Sequence, residues 1–227
     1  SKQKFTNIHS DLPGLIAKHC SDSEVKKFIH VSAIGANENS KSLYQQSKFA
    51  GEQKALNNFK NTIIIRPSVV CGTEDNFTNL FAKLSMAPVI PVVKTSYRFQ
   101  PILVNDVATA IVKAIEIKEN EGKIYEIGGP KVISFGDMVK SILNTINKKR
   151  LIVDLPMPLA KVQATLFSIM PKPLLTKDQC QILNEADNVV SNNHLTLKDL
   201  NIKPDDVEQA MSKWLWRFRD GGEFAKI

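Results

Sequence analysis

The chain has 227 residues and a formal net charge of +7, and its sequence pI is near 9.2. Hydrophobic residues make up 43% and charged residues 23%, the proportions of an ordinary globular protein rather than a disordered one. The lysines are scattered, with short basic runs only at Lys26-Lys27 and Lys148-Lys149-Arg150, so nucleic acid is not an expected partner. An acidic surface or anionic lipid stays open as a partner. Cys20, Cys71 and Cys180 lie far apart, as do His9, His19, His30 and His194, which argues against a disulfide framework and against a zinc site. No apolar run is long enough to span a bilayer. The opening SKQKFTNIHS reads as neither a signal peptide nor an initiator-methionine start, so the sequence is expected to begin inside a longer fold.

Taken in chain order, Phe5 to Cys20 predicts an amphipathic helix with Ile8, Leu12, Leu15 and Ile16 inward, interrupted in pattern by Pro13-Gly14. Phe28 to Ser32 reads as a short strand. Leu43 to Phe59 has helical periodicity through Tyr44, Phe49 and Leu56. Thr62 to Ile65 is β-branched and apolar on both faces, as suits a parallel strand covered by helices on each side. Strand, helix and strand at this spacing form a βαβ unit, so the expected class is α/β.

Further on, Phe77 to Met86 predicts a helix, Pro88 to Val93 an extended stretch and Phe99 to Val104 a strand. Asp106 reads as the cap of a helix reaching about Lys118. Lys123 to Ile127 is a strand closed by a turn at Gly128-Gly129-Pro130. Ser134 caps a helix to Asn147, Leu151 to Leu155 is extended, and the chain from Pro156 onward is expected to be helical. The expected organisation is a nucleotide-fold portion over residues 1–76 and a mixed, mostly helical lobe over 77–227 that returns strands to the sheet.

Tyr44 and Lys48 form a Y-x-x-x-K pair one helical turn apart on one face. An ammonium there favours ionisation of the phenol, which can then pass a proton to or from a substrate oxygen during hydride transfer. Ser32, at the C-terminal end of the preceding strand, could hydrogen-bond the same oxygen, and strand ends are where open α/β sheets place ligands. Near the C-terminus, Leu159, Val162, Leu166 and Ile169 make one apolar helix face, with core packing the expected role of Val162 and Leu166. Trp214-Leu215-Trp216-Arg217-Phe218-Arg219 is aromatic and basic. Its two indoles cannot point the same way on a helix, so one is expected to be left for a partner or a membrane surface.

Five blocks in this order carry a resemblance: F-I-H-V-S-A, Y-Q-Q-S-K-F-A-G-E, I-I-I-R-P-S-V-V-C-G, F-Q-P-I-L-V-N-D-V-A-T-A-I and Y-E-I-G-G-P. Together they resemble the second half of the extended short-chain dehydrogenase/reductase fold, the NAD-dependent epimerase/dehydratase superfamily. H-V-S-A-I-G-A, R-P-S-V-V, L-P-M-P-L-A-K-V-Q-A and P-L-L-T-K-D-Q are similar to one branch, the nucleotide-binding accessory subunit of respiratory complex I and its bacterial relatives. The resemblance runs from about Phe5 to Ile202. It implies the C-terminal portion of a Rossmann-like parallel sheet plus a smaller lobe.

The resemblance also implies an acid/base role for Tyr44, a ribose-holding role for Lys48 and, approximately, substrate binding by Ser32. Pro67, Ser68 and Val69 match the backbone stretch that lies under a nicotinamide. Arg66 is open between pocket residue and ion-pair partner. The cofactor so implied is NADP or NAD, with binding expected only in a complete chain, since the G-x-x-G-x-x-G turn is absent and would lie upstream of Ser1. Ala33 and Ile34-Gly35 replace the family's hydroxyl residue and Tyr-Gly, which favours nucleotide binding over turnover. Two functions follow. One is an NAD(P)-binding structural or assembly subunit of a respiratory or quinone-related complex, cytoplasmic or peripheral on the inner face of an energy-transducing membrane, with complex subunits or the membrane as partners. The other is an NAD(P)-dependent reductase, epimerase or dehydratase with a small or nucleotide-linked substrate.

Overall fold

The computed structural model describes residues 5–119, 121–166, 173 and 175–222. Its elements run α1 (Leu12–Asp22), β1 (Phe28–Val31), α2 (Leu43–Asn58), β2 (Thr62–Pro67), β3 (Val70–Cys71), α3 (Thr78–Leu84), β4 (Val89–Val93), β5 (Arg98–Phe99), β6 (Ile102–Leu103) and α4 (Val104–Glu116). They continue through β7 (Ile124–Ile127), β8 (Ile133–Ser134), α5 (Phe135–Thr145), β9 (Leu151–Leu155), α6 (Met157–Leu166), α7 (Lys177–Asn184), α8 (Val207–Ala210) and α9 (Ser212–Leu215). The class is α/β.

β2 is the centre of a three-stranded parallel sheet, β1-β2-β7, with Phe28 opposite Thr62 and Ile64 opposite Ile124. All six of its residues are buried, because successive side chains face opposite layers and both layers are covered. Ile63 and Ile65 pack with Val107, Ala110 and Ala114 of α4. On the other side, Thr62 donates to the Ala55 carbonyl and Arg66 meets Glu52, both on α2.

A wide π-helical turn over Thr6–Asp11 runs directly into α1, and Pro13, which has no N–H to give, follows immediately on that widened turn. The expected inward face is overturned: Ile8, Leu12, Leu15 and Ile16 are exposed, while Ser10, Pro13, Gly14 and Ala17 are buried. Close packing against α2 explains this. A Cβ on Gly51 would stand 1.9 Å from the His9 carbonyl oxygen, so only small residues fit between the two backbones.

A second core joins α3, α5, α8 and α9 to a parallel β4–β9 ribbon and a short antiparallel β5–β8 pair. Asp106 is not the cap of α4. Leu103 occupies that position and Asp106 lies in the first turn, where its carboxylate accepts the Asp205 N–H at 3.0 Å. The expectation of helix from Pro156 onward holds for α6 and α7 and again for α8 and α9, and fails between them. Residues 185–196 are irregular, with single bridges from Asn188 to Phe99 and from Leu195 to Tyr125. Val162 and Leu166 are exposed with Leu159 rather than packed in a core, and Ile169 lies outside the described residues. No helix among the described residues is long and apolar enough to cross a membrane.

Candidate functional site

β1 ends at Val31, and α2 returns over that end. Ser42 caps α2 by accepting the Gln45 N–H. Asp178, from α7, reinforces the cap: its carboxylate accepts from Leu43 N at 2.7 Å, Tyr44 N at 3.3 Å and Ser42 Oγ at 2.7 Å. Glu185, just beyond α7, accepts from Lys41 N at 2.6 Å and Ser40 Oγ at 3.0 Å. The start of the Y-x-x-x-K helix and the two residues leading to it are therefore held by two carboxylates, one on α7 and one just beyond it. Sequence reading missed both. The Thr176/Gln179 capping box that starts α7 was a local signal for that helix, but not for where Asp178 would point.

Tyr44 and Lys48 do share one face of α2, with the ammonium 5.9 Å from the phenol ring centroid. Lys48 Nζ donates to the Val31 carbonyl at 3.3 Å, one residue before Ser32. Ser32 is 4% exposed, and its hydroxyl has no hydrogen-bond partner among the described residues. His30, two residues back on the same face of β1, is likewise buried with Nε2 unpartnered. The Tyr44 ring packs edge-on to His9 at 5.3 Å and to Phe5 at 6.1 Å, and His9 Nδ1 lies 3.1 Å from Ser47 Oγ.

The electrostatics run against the expected ionisation of the phenol. Burial raises the Tyr44 pKa above its ordinary value. Burial lowers that of Lys48, with the Glu52 carboxylate acting in the opposite sense. Lys48 gives one of its three N–H donors to the Val31 carbonyl, and loss of water is what raises the phenol. Burial, then the charges of Lys48 and His9, push His30 down to about 4.

The Pro67–Val69 backbone is largely occupied. The Pro67 carbonyl accepts from Ile34 N, Ser68 N donates to the Ile127 carbonyl, and the Val69 carbonyl accepts from Ile102 N. Ser68 Oγ donates to the Asn188 side chain at 2.6 Å, which ties this stretch to the returning segment. Arg66 is an ion-pair partner and also borders a cleft with Gly35, Gln45 and Asn188. Its guanidinium forms two bonds to Glu52, at 2.9 and 2.7 Å, with Glu126 at 3.4 Å and His194 Nε2 at 3.1 Å. At Gly128-Gly129-Pro130, Gly129 exchanges hydrogen bonds with Gln100, and a Cβ there would lie 2.1 Å from the Pro101 carbonyl oxygen. Two chain segments touch at that point, with no phosphate cradle between them. Among the described residues no group of three or more His, Cys, Asp or Glu could hold a metal ion.

The sequence pattern of the RmlD substrate binding domain matches residues 2–219. The chain is 31% identical over 218 residues to the mitochondrial NADH dehydrogenase [ubiquinone] 1 alpha subcomplex subunit 9 of Mus musculus, covering 95% of this chain and 58% of that protein. It thus spans little more than half the length of the curated relatives it matches. Among solved structures it resembles dTDP-4-dehydrorhamnose reductase from Bacillus anthracis in complex with NADP, at a TM-score of 0.67 and 17% identity over 92% of this chain and 71% of that one. It also resembles dTDP-glucose 4,6-dehydratase from Bacillus anthracis in complex with NAD, at a TM-score of 0.70 and 15% identity over 97% and 70%. At these identities the structural likeness is one of fold, and it places β1-β2-β7 in a Rossmann-like parallel sheet.

Proposed function

This chain belongs to the RmlD substrate binding domain family, and we propose that it is part of a nicotinamide-dinucleotide-binding subunit that serves a respiratory complex in a structural or assembly role. The observation that carries this reading is the likeness along nearly the whole chain to a subunit named for NADH dehydrogenase.

Tyr44, Lys48, Ser32 and the Pro67–Val69 stretch would hold the nicotinamide end of NADP or NAD. A bound dinucleotide supplies a hydride-transferring ring. The buried, unpartnered Ser32 hydroxyl fits a polar group arriving at the strand end, since such an atom is costly to leave unpaired. The pyrophosphate needs a glycine-rich turn that these 227 residues do not include. Placement at the inner face of an energy-transducing membrane accords with exposed Trp216 beside Arg217 and Arg219.

The second reading, an NAD(P)-dependent reductase or epimerase, draws on the same Ser32 hydroxyl and on the enzymes whose fold this chain shares. One pair of measurements separates the two. The full-length protein, tagged and recovered from membranes, is expected to bring down respiratory-complex subunits and to leave NADPH unconsumed with a panel of carbonyl substrates. Steady NADPH oxidation without co-purifying subunits would reverse the assignment.

A further inference from the structure

The second core contains a cavity of about 280 Å³, bounded by α3, α5, α7, the inner face of the β4–β9 ribbon and the inner side of α6. Phe77, Phe81, Phe99 and Phe135 form one wall, with ring centroids 5.4–5.9 Å apart, mostly edge-to-face. No charged side chain among the described residues lines it. Its polar lining comprises Gln163, Gln179 and Tyr97, of which the Tyr97 hydroxyl already reaches the Ala186 carbonyl at 3.4 Å and the Gln179 amide oxygen accepts from Thr176 N.

We infer that this cavity is a binding site for a single apolar chain, acyl or isoprenoid, of a lipid-like ligand. The cavity is partly open to solvent, but its walls are almost wholly apolar, so water inside it finds few polar partners and is readily displaced by hydrocarbon. Even an apolar cavity of about 150 Å³ takes up a small hydrocarbon. The site described here is larger, and its lining matches methylene groups rather than phosphates or sugars. A nucleotide or sugar phosphate would need cations or a row of free N–H groups, and no lining side chain carries a positive charge.

Two walls of the cavity are apolar on their outer faces as well. The ribbon exposes Val89 opposite Leu151 and Pro91 opposite Val153, and α6 exposes Leu159, Val162 and Leu166. Pro91 and the half-buried Gln163 belong to both the lining and the outer region. Such surroundings suit a ligand that partitions out of a bilayer. At the other end Val69, next to Ser68, also lines the cavity, so a bound chain would end beside the stretch assigned to the nicotinamide. The inference does not depend on that assignment, because nothing in the lining needs a dinucleotide to form it.

The test is a titration of the full-length protein with cis-parinaric acid, a fluorescent polyene fatty acid, with and without NADPH. Saturable fluorescence is expected in both conditions, so a failure here leaves the dinucleotide reading untouched. Displacement by palmitate identifies an acyl chain, by geranylgeraniol an isoprenoid one, and by both the shared chemistry. Displacement by neither overturns the site. Leu84→Trp should fill the void and weaken parinarate binding by about tenfold or more while the thermal midpoint holds or rises. Should that variant fail to fold, Leu80→Phe takes its place. A folded filling variant that binds the probe as well as the parent protein does, or a parent protein that gives no saturable signal, removes the proposal.

Discussion

Asp178 of α7 accepts the backbone N–H of Tyr44 at 3.3 Å, so α7 holds the first turn of the very helix that carries the Y-x-x-x-K pair. The same carboxylate takes the Leu43 N–H and the Ser42 hydroxyl, leaving the start of α2 with few orphan donors. A negative charge at a helix N-terminus is also favoured by the helix dipole. Asp178→Ala should therefore cost about 1–2 kcal/mol, as the loss of a strong cap does. Amide hydrogen exchange should quicken first at Leu43 to Gln46. Unchanged exchange there, with unchanged urea midpoint, would show that Ser42 caps the helix unaided.

His30 makes stability depend on pH in a definite window. In the folded chain it stays neutral down to about 4, because burial and the charges of Lys48 and His9 disfavour the imidazolium. In the unfolded chain it takes up a proton near the ordinary value of about 6.5. Between those values the unfolded state binds more protons, so stability rises with pH. The contribution is fully present above about 6.5 and is lost as pH falls toward about 4, to a total of roughly 3 kcal/mol. Urea unfolding across this range should show a steeper pH dependence for the parent protein than for His30→Phe. Parallel curves would mean that His30 is solvated.

How much of this was legible in the sequence depended on the range of the interactions. The run Thr62 to Ile65 is apolar at every position and became the covered central strand, because a double-sided environment demands apolar residues on both faces. The i, i+4 spacing placed Tyr44 and Lys48 on one face as read. The buried face of α1 was misread because close helix packing selects small residues, and a hydrophobic pattern weights large ones. Val89 pairing with Leu151 leaves no local trace, since register between distant parallel strands is set by tertiary packing. Nor could spacing reveal that Asp178 would reach α2, or that the Lys48 ammonium would bond the Val31 carbonyl.

The two indoles near the C-terminus separate as the helical spacing required. Trp214 is 6% exposed and donates from Nε1 to Thr78 Oγ1 at 3.1 Å, whereas Trp216 is 38% exposed. Trp214→Ala should cost about 3–5 kcal/mol, the range for emptying a large aromatic from a core. Trp216→Ala should change stability by no more than about 0.5 kcal/mol while weakening recovery with membranes or complex subunits. Acrylamide quenching of the two single-tryptophan variants provides the check. Equal quenching would contradict the assignment of one indole to the core and the other to the surface.

If the residues at the end of β1 hold a dinucleotide as proposed, they hold only one end of it, which leads to a prediction for the 227-residue chain by itself. On the proposed assignment Lys48, Tyr44 and Ser32 would hold a nicotinamide riboside, and most backbone groups of Pro67–Val69 are already bonded. Pyrophosphate recognition in this fold class comes from backbone N–H groups of a glycine-rich turn at a helix N-terminus, and the ten glycines here form no such turn. Each charge-assisted hydrogen bond to phosphate contributes about 1.5–3 kcal/mol, so lacking several weakens binding by orders of magnitude. Titration of this chain with NADPH, followed by nicotinamide fluorescence, should show no saturation in the micromolar range. Lys48→Ala should then make little further difference, because one ribose contact cannot compensate for an unheld pyrophosphate. Saturation at micromolar NADPH that Lys48→Ala abolishes would mean that the phosphates find cations elsewhere on this chain, and the nicotinamide-end assignment would have to be rebuilt around them.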